Sequence, residues 1–475
     1  MAFFRGFQGG IFRFKQIILT NPVCKVMQTL PLFPNQDLHP ASYHFFKTTE
    51  LGKAYQAIPW QQIDQLHKEC YPEKYQKNGR PSRWSPKSKA GLLFLKSYTG
   101  LSDAKLLERV QTDYAFQYFC SIKLADNERI NDPTLLSRIR QEFGSTQFLN
   151  QLQILLGQHW IPYMEEHSTL LMDATCYQSQ VRYPTDPKLL WECNQQVFDW
   201  IQNLCKQLKI RIPRSKYREL EKAFRAYSFR RKKSHKLTRK IKGRLLKLLK
   251  KLCEILDNLF RRYRNYSLRE RDYGRFKVIK QVYQQQKYMY DHKTNRVPGR
   301  IISLAKPYLR PIKRGKETHS TEFGMKAHLI QNDGICYLEH ASFDAFNESK
   351  RLQPAFRLHR RIQGKNCQSL GADRIYATNK NRRFAAANQV FTGFVKKGKK
   401  TEDPASDQRK KSINKARATR MEGKIGHHKQ AYGLDKIKAR SAEGELVWVF
   451  FGIMCSNMVA IGERIAQSKP DKLAA

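Results

Sequence analysis

Apolar residues recur every three or four positions between about residues 60 and 143, and this spacing predicts a series of short helices. Ser102 precedes one apolar stripe and is expected to cap a helix. Residues 132–134 open another helix, whose outer side is expected to carry Arg138 and Arg140. Short helices that end in a basic one fit a compact DNA-binding unit, and they fit equally well a helical bundle that docks on the next domain.

Further along the chain, two short apolar segments each lead to an aspartate. Residues 167–173 and 369–373 are predicted to be buried strands that end in Asp173 and Asp373. Between them, Asn332-Asp333-Gly334 separates two runs with strand-like alternation, which is a strong hairpin signal. The other predicted elements are hairpin strands over 323–330 and 335–340, helices over 348–363 and 379–388, a strand over 390–395, and a long helix from about residue 412 that carries Glu422.

The region between the first strand and the hairpin is helical in its pattern and strongly basic. Over residues 205–266, leucines recur at helical spacing among lysines and arginines, and acids are scarce. The pattern predicts an antiparallel helical insertion, over about 190–300, with one face for a core and one face for phosphates.

An apolar run over residues 446–461 lies near the C-terminal end. The run is a little short for a membrane span, and Ser456 and Asn457 interrupt it. A buried packing helix is therefore the better interpretation, and no membrane partner is expected.

The composition of the chain indicates what kind of molecule it binds. The chain has 88 Lys and Arg against 41 Asp and Glu, a formal charge of +47. A polyanion would relieve the repulsion within such a chain. Nucleic acid is favoured over an anionic membrane surface, because each phosphate contact releases counterions and adds affinity. Basic runs at 230–233 and in the loop 396–411 strengthen this expectation.

Cysteine and histidine offer no metal site. The ten cysteines are scattered without a C-x-x-C pair, which favours a reducing, cytoplasmic setting. His427 and His428 are adjacent and therefore do not share a helix face, so a metal role there is not expected.

Three carboxylates carry the candidate chemistry. Strand ends of an open sheet converge on one edge, so Asp173 and Asp373 are expected to lie together, faced by Glu422 from its helix. Carboxylate oxygens suit Mg²⁺, and two such ions about 4 Å apart can clamp a scissile phosphate. Alone, either aspartate is more simply a turn or helix cap, and Glu422 an ion-pair partner. Asp344 and Glu348 are the rival acids.

Short motifs also follow one another in a specific order along the chain. Any one of them is weak, but each falls where the predicted fold needs it. They are Gly79-Arg80-Pro81, Met172-Asp173-Ala174-Thr175, Arg182-Tyr183-Pro184-Thr185-Asp186, residues 307–315, Glu322-Phe323-Gly324, residues 343–349, Ala372-Asp373-Arg374-Ile375-Tyr376, Met421-Glu422-Gly423-Lys424, Lys429 and Tyr432-Gly433-Leu434.

In this order the motifs resemble those of bacterial insertion-sequence transposases with a ribonuclease H-like catalytic core, over about residues 50–460. The resemblance implies an acidic (DDE) triad of Asp173, Asp373 and Glu422 that binds two Mg²⁺, with Mn²⁺ as a substitute. It implies binding of the terminal inverted repeats of an insertion sequence, metal-dependent DNA strand cleavage, and strand transfer. Two DNA ends must be held together, so at least a homodimer is expected on double-stranded DNA.

The predicted fold is then α/β, with a ribonuclease H-like mixed sheet, flanking helices and the basic helical insertion, preceded by an all-α domain. A leader over 1–50 is expected to be disordered. The N-terminal DNA-binding domain covers 51–165, the catalytic domain 166–462, and a tail 463–475. The protein is expected in the cytoplasm, associated with the nucleoid.

Related transposases have a tyrosine and an arginine before the glutamate and a lysine after it. Here Lys429 stands at the lysine position, two helical turns from Glu422 and on the same face. Lys415 and Ala418 stand at the other two positions, so Arg417 or Arg420 is expected to substitute. The phosphate contacts expected by charge and proximity are Lys326, Arg374, Arg420, Lys424 and Lys429.

Two other functions stay open. The first is a basic DNA-binding protein without catalysis, against which the complete triad argues. The second is a metal-dependent nuclease that cuts without joining, which only a strand-transfer assay distinguishes from a transposase.

Overall fold

The computed structural model describes residues 40–75, 84–125, 128–313, 321–395 and 403–468. The first 39 residues of the leader, the motif at 79–81, residues 396–402 of the basic loop and the end of the tail lie outside these ranges.

Helices build the N-terminal region, as the apolar spacing predicts for residues 60–143, and a helix also occupies Pro40–Thr48, within the leader that was expected to be disordered. They are α1 (Pro40–Thr48), α2 (Glu50–Gln56), α3 (Trp60–Cys70), α4 (Pro86–Thr99), α5 (Asp103–Thr112), α6 (Tyr114–Phe119), α7 (Leu135–Glu142) and α8 (Thr146–Trp160). Ser102 caps α5, because its hydroxyl accepts a hydrogen bond from the backbone N–H of Lys105 at 3.3 Å. Arg138 of α7 is exposed, but the outward placement of Arg140 was wrong. Its guanidinium is buried in an ion pair with Asp103, at 2.7 Å.

The strand that contains Asp173 is longer than the sequence predicts. Strand β1 spans Thr169–Ser179, so Asp173 lies within it and not at its end. The strand continues because residues 171–178 pair with an antiparallel neighbour, and Gln178 and Ser179 pair with a parallel one. Residues before and after Asp173 in the chain are therefore paired with neighbouring strands, and this pairing fixes the position of Asp173.

Helices occupy the region of the predicted insertion, namely α9 (Asp186–Gln207), α10 (Tyr217–Phe229), α11 (His235–Arg262) and α12 (Glu270–Asp291). Their apolar faces form a hydrophobic core of their own, with the leucines of α11 at its centre. Asp186 joins the two ends of this unit. Its carboxylate accepts from Lys242 and Arg300, each at 2.7 Å, and from Gln286 at 2.9 Å.

The remainder of the chain supplies the other strands and their covering helices. The elements are β2 (Pro311–Lys313), β3 (Thr321–Asn332), β4 (Ile335–Ser342), α13 (Leu352–Gln363), β5 (Ser369–Gly371), α14 (Asn379–Ala387), β6 (Phe391–Thr392), α15 (Pro404–Ala416), α16 (Glu422–Ala431), β7 (Lys436–Ile437) and α17 (Ala442–Gln467). The hairpin between β3 and β4 is confirmed. Asp333 and Gly334 both have positive φ, at 46° and 79°, as a two-residue type I′ turn requires.

The strands form one mixed sheet with β1 at its centre. The path runs β2-β3-β1-β5-β6, with β4 paired to β3 and β7 paired to β1. Strand β1 is antiparallel to β3 and parallel to β5. The antiparallel hairpin therefore lies on one side of Asp173, and the strand that leads to Asp373 lies on the other.

One hydrophobic core includes the N-terminal helices, the sheet and α17. Helix α17 packs against α2, α4, α7 and β4. Within the described ranges it is the one helix long and apolar enough to cross a membrane, and 78% of its most apolar window is buried inside the protein. The interpretation of residues 446–461 as a packing helix agrees with this burial.

A buried ion pair fixes the start of α17 against the chain that leaves the insertion. The carboxylate of Glu445 is fully buried and lies 2.5 Å from the ammonium of Lys306. Ser179, the last residue of β1, donates to the same carboxylate at 2.5 Å, and Tyr308 donates at 3.0 Å. Each carboxylate oxygen thus has a donor, as a buried charge requires.

We expect Glu445→Ala to lower the free energy of unfolding by about 3–5 kcal/mol, because Lys306 would be left as an uncompensated buried charge. Urea unfolding followed by circular dichroism measures the change. The matched control is Glu463→Ala, which removes an exposed carboxylate from the same helix and should cost less than about 0.5 kcal/mol. Equal losses in the two variants would contradict a buried, stabilising pair.

Candidate active site

The backbone brings Asp173 and Asp373 to the same level of the sheet. The last paired residues of β1 and β5 are Leu171 and Gly371, in parallel register. Each aspartate lies two residues further along its chain. Asp373 is exposed, and its carboxylate accepts a hydrogen bond from the backbone N–H of Arg374 at 2.6 Å. The predicted proximity of the two aspartates follows from this register.

A close helix–sheet approach brings Glu422 to the same place. Gly371 has no side chain, and a Cβ atom there would lie 2.8 Å from Leu171 and 2.9 Å from Ile413 of α15. Helix α15 can therefore lie directly on β5. It continues through a π-helical turn, Arg417–Met421, into α16, whose first residue is Glu422. The predicted long helix is present, and it begins at Pro404.

Arg417 lies between two of the three acids. Its Nη1 is 3.2 Å from Oδ2 of Asp173 and 3.9 Å from Oε1 of Glu422. The π turn explains why this arginine is the one in place. A π turn contains one more residue than an α turn, so residues five apart come onto one side of the helix. On a regular α-helix, the residue one turn before Glu422 is Ala418. In the structure, Arg417 is the residue beside Asp173 and Glu422.

Asp173 is held in an unfavourable electrostatic setting. Burial raises the pKa of its carboxyl above the usual value. The N–H of Ala174, which donates to Asp173 at 2.7 Å, and the guanidinium of Arg417 lower the pKa, while the charges of Glu348 and Asp373 raise it further. Burial and like charge prevail, so the neighbours only partly compensate the carboxylate.

Glu348 belongs with these acids, although the sequence ranked it only as a rival. It begins a short 3-10 turn, Glu348–Arg351, and its carboxylate lies 2.7 Å from the ammonium of Lys326 on β3. Lys326 also donates to the carbonyl oxygen of Phe346 at 2.9 Å. We name Asp173, Glu348, Asp373 and Glu422 the acid cluster. The other rival, Asp344, is 77% exposed and pairs with Arg310.

A buried network supports the turn that carries Glu348. Arg351, at the end of this turn, pairs with Glu339 of β4, and Glu339 also accepts from Nδ1 of His328 at 2.9 Å. The ring of Tyr376 packs beside His328. Burial, and then the charges of Glu348 and Asp173, raise the pKa of Tyr376. Among the described residues its buried hydroxyl has no hydrogen-bond partner.

The predicted phosphate contacts fall into different settings. Arg374 and Arg420 are exposed on the segments that carry Asp373 and Glu422. Lys429 lies on the inner side of α16, with its ammonium 5.9 Å from the ring of Tyr177. Lys424 does not face the acid cluster. Burial lowers its pKa, and the titratable groups that act on it are Cys336, Arg464 and Glu463, none of which belongs to the cluster.

The donor types of the acid cluster suit a hard divalent cation, since all are carboxylate oxygens. Within the described ranges, no three Asp, Glu, His or Cys side chains converge closely enough to hold a metal ion. Two of the acids instead contact the guanidinium of Arg417, so a positive charge fits between Asp173 and Glu422. His428, which lies further along α16 than Glu422, is buried. Burial lowers its pKa to about 3, so its ring is neutral.

Comparison with known proteins adds one family. Residues 41–142 match the model of a family described as a transposase domain (DUF772). No curated protein and no solved structure matches the chain. The matched segment covers most of the N-terminal helices and ends before β1, so it does not include the acid cluster. The match supports a transposase, an enzyme that cuts and transfers DNA, and therefore DNA as the partner.

The raised pKa of Asp173 predicts how the free energy of unfolding changes with pH. Because this pKa is raised, the folded protein binds the proton more tightly than the unfolded chain does. The carboxyl group therefore favours folding in acid and opposes it once the pH rises through its folded pKa. We expect metal-free Asp173→Asn to unfold with a higher free energy than the unsubstituted protein at neutral pH. The difference should vanish below pH about 4.

Denaturant titrations in the presence of a chelator, at neutral pH and in acid, measure this difference. Asp344→Asn is the control, since it neutralises an exposed acid outside the cluster. A lower stability of Asp173→Asn at neutral pH would show that the ion pair with Arg417 outweighs burial and like-charge repulsion.

Proposed function

We propose that this protein is a DDE transposase that acts on the ends of an insertion sequence. The observation that carries the proposal is the convergence of three acids from two strands and a helix: Arg417 joins Asp173 and Glu422, and Asp373 lies close enough to Asp173 for its charge to raise the pKa of that carboxyl. Three neighbouring acids that Arg417 compensates only in part, in a chain with a charge of +47, suit phosphoryl transfer on a polyanion better than a structural role.

The architecture supports a ribonuclease H-like core for this site. The central strand carries the first acid, with an antiparallel hairpin on one side and a parallel strand that leads to the second acid on the other. The third acid comes from a helix that lies on the sheet. The order along the chain is the one that the sequence predicts.

Two Mg²⁺ ions, or Mn²⁺ in their place, would be held by Asp173, Asp373 and Glu422. When bound, they would activate the attacking oxygen and stabilise the leaving oxygen of a phosphodiester. Glu348 adds negative charge beside Asp173, while Lys326 limits the resulting repulsion.

Arg417 has two roles in this scheme. In the metal-free protein its guanidinium compensates Asp173 and Glu422. With a divalent cation bound to the acids, the guanidinium would be free to bind a phosphate, whose oxygen pair its planar donors match. Arg374, Arg420 and Lys429 lie on the same segments as the acids and would hold the neighbouring phosphates.

The reaction consists of two in-line displacements at phosphorus. In the first, a water oxygen attacks at the element end and the 3′ oxygen of that end leaves. In the second, the freed 3′-hydroxyl attacks a target phosphodiester, and the target's own 3′ oxygen leaves. Neither step needs a covalent protein intermediate, so positioning and charge neutralisation are the tasks of the protein. Holding two ends requires at least a dimer on DNA.

We expect Asp173→Asn, Asp373→Asn and Glu422→Gln each to reduce Mg²⁺-dependent cleavage and strand transfer by about 10³-fold or more, because each removes a charged ligand of the reacting centre. DNA affinity should stay within about threefold, since carboxylates do not bind phosphates directly. The assay uses a labelled duplex that carries the element's own end sequence. Asp344→Asn is the matched control and should retain activity.

Full strand cleavage in any of the three variants would refute the triad. Cleavage without joined products in the unsubstituted protein would indicate a nuclease, and tight binding without cleavage would indicate a DNA-binding protein.

The counter-ion role of Arg417 has a separate test, made on the protein without DNA. We expect Arg417→Ala to lose about 1 kcal/mol of stability without metal, since a partly buried ion pair is removed. Mg²⁺ or Mn²⁺ should abolish this difference, because the bound ion then compensates the acids in both proteins. Arg417→Lys, which retains the charge, is the control. A stability loss that is the same with and without metal would contradict the role.

A further inference from the structure

A large cleft lies away from the acid cluster. It has a volume of about 950 Å³ and separates the N-terminal helices from the segment that joins α16 to α17. One wall is built by the end of α4, the start of α5 and α7. The other wall is built by residues 429–448. One wall therefore belongs to the segment that matches the transposase domain model. The other belongs to the region that contains the sheet, which we call the sheet domain.

The lining of this cleft is strongly basic. Its two acids are Asp103, which is already paired with Arg140, and Asp435. We name it the basic cleft after its cationic lining residues, which are Lys96, Arg140, Lys429, Lys436, Lys438 and Arg440. Six cations against two acids give the lining a net positive charge.

Two of the cations are built into the floor of the cleft. Lys96 and Arg140 are 8% and 5% exposed, and they lie on the ring of Trp448 with centroid distances of 4.6 and 4.9 Å. Lys96 also donates to the carbonyl oxygen of Leu101. An indole between two cations holds both of them in one orientation. These charges are preorganised, unlike mobile surface lysines.

The electrostatics of the cleft favour the binding of an anion. Burial lowers the pKa of Lys96 to about 8; Asp103 opposes this shift, and the charges of Arg140 and Lys438 add to it. Cations that repel one another at the floor of an open cleft are stabilised when an anion binds there.

The position of the cleft relates it to the acid cluster. Lys429 lines the basic cleft and lies seven residues after Glu422 in α16. At a rise of 1.5 Å for each residue, the two are separated by about 10 Å along the helix axis. An extended polyanion held in the cleft would thus continue towards the acids, which a small anion would not do.

We propose that the basic cleft binds the phosphate backbone of the DNA that leads to the cleaved bond, so that the N-terminal helices and the sheet domain hold the same DNA segment. This inference rests on the proposed function. It assigns a DNA-contacting role to the exposed cations Lys436, Lys438 and Arg440. It assigns the same role to Lys96 and Arg140, the two cations that lie on the ring of Trp448. These contacts are additional to those expected near the acids.

The test measures DNA affinity without catalysis. The variant is Lys436→Ala/Lys438→Ala/Arg440→Ala, which removes three exposed cations from the cleft and leaves its buried floor intact. The matched control is Arg357→Ala/Arg360→Ala/Arg361→Ala, which removes three exposed cations from α13, outside the cleft. Binding to a fluorescent duplex with the element's own end sequence is measured in a chelator over a series of salt concentrations.

We expect the cleft variant to bind about 10- to 100-fold more weakly than the unsubstituted protein at low salt. Its plot of log affinity against log salt should be shallower by about 2.7, since each lost phosphate contact removes about 0.9 from the slope. The control should lose no more than about threefold in affinity. The single reversal Lys438→Glu, with an unchanged melting temperature, should weaken binding in the same direction.

Affinity and salt slope of the cleft variant equal to those of the control would overturn the basic cleft as a DNA site, and would leave the proposed function intact. Absence of DNA binding by the unsubstituted protein would overturn the proposed function, and this inference with it.

Discussion

Repulsion among carboxylates that the backbone forces together is the constraint on which the candidate site depends. The parallel register of β1 and β5 sets Asp173 and Asp373 at one level, and the turn at Glu348 adds a third charge. Arg417 and Lys326 compensate this charge only in part, because burial still raises the pKa of Asp173. A fold selected for stability alone would replace these acids. Their retention is understandable if a divalent cation and a phosphodiester complete the site.

One hydrophobic core joins the N-terminal helices to the sheet that carries the acid cluster. Helix α17 packs against the N-terminal helices and against β4, and Glu445 at its start is paired with Lys306. The basic cleft lies beside this junction, between the two regions that α17 joins. Because one core holds both regions, the distance between the acid cluster and the basic cleft is fixed by packing and does not depend on a linker. Such rigidity is what a phosphoryl-transfer site needs, since the reaction depends on position.

Local sequence patterns were sufficient where the structure is decided locally. Asn332-Asp333-Gly334 predicted the hairpin through its turn residues, and the spacing of apolar residues predicted the helices between residues 60 and 143. The patterns failed where distant segments decide. β1 extends beyond Asp173 because of strands paired from far along the chain, and Arg140 is buried because α17 covers it. Arg417 was named only as one of two possible substitutes, because a π turn is invisible in a periodicity count. Glu348 joins Asp173 only through tertiary folding.

The most direct test of the central claim is a crystal structure of the protein with Mn²⁺, in which anomalous scattering locates the ions. The account predicts Mn²⁺ bound by Asp173, Asp373 and Glu422, with the guanidinium of Arg417 withdrawn from both Asp173 and Glu422. Mn²⁺ bound elsewhere on the chain, or Arg417 still between the acids in crystals saturated with metal, would contradict it.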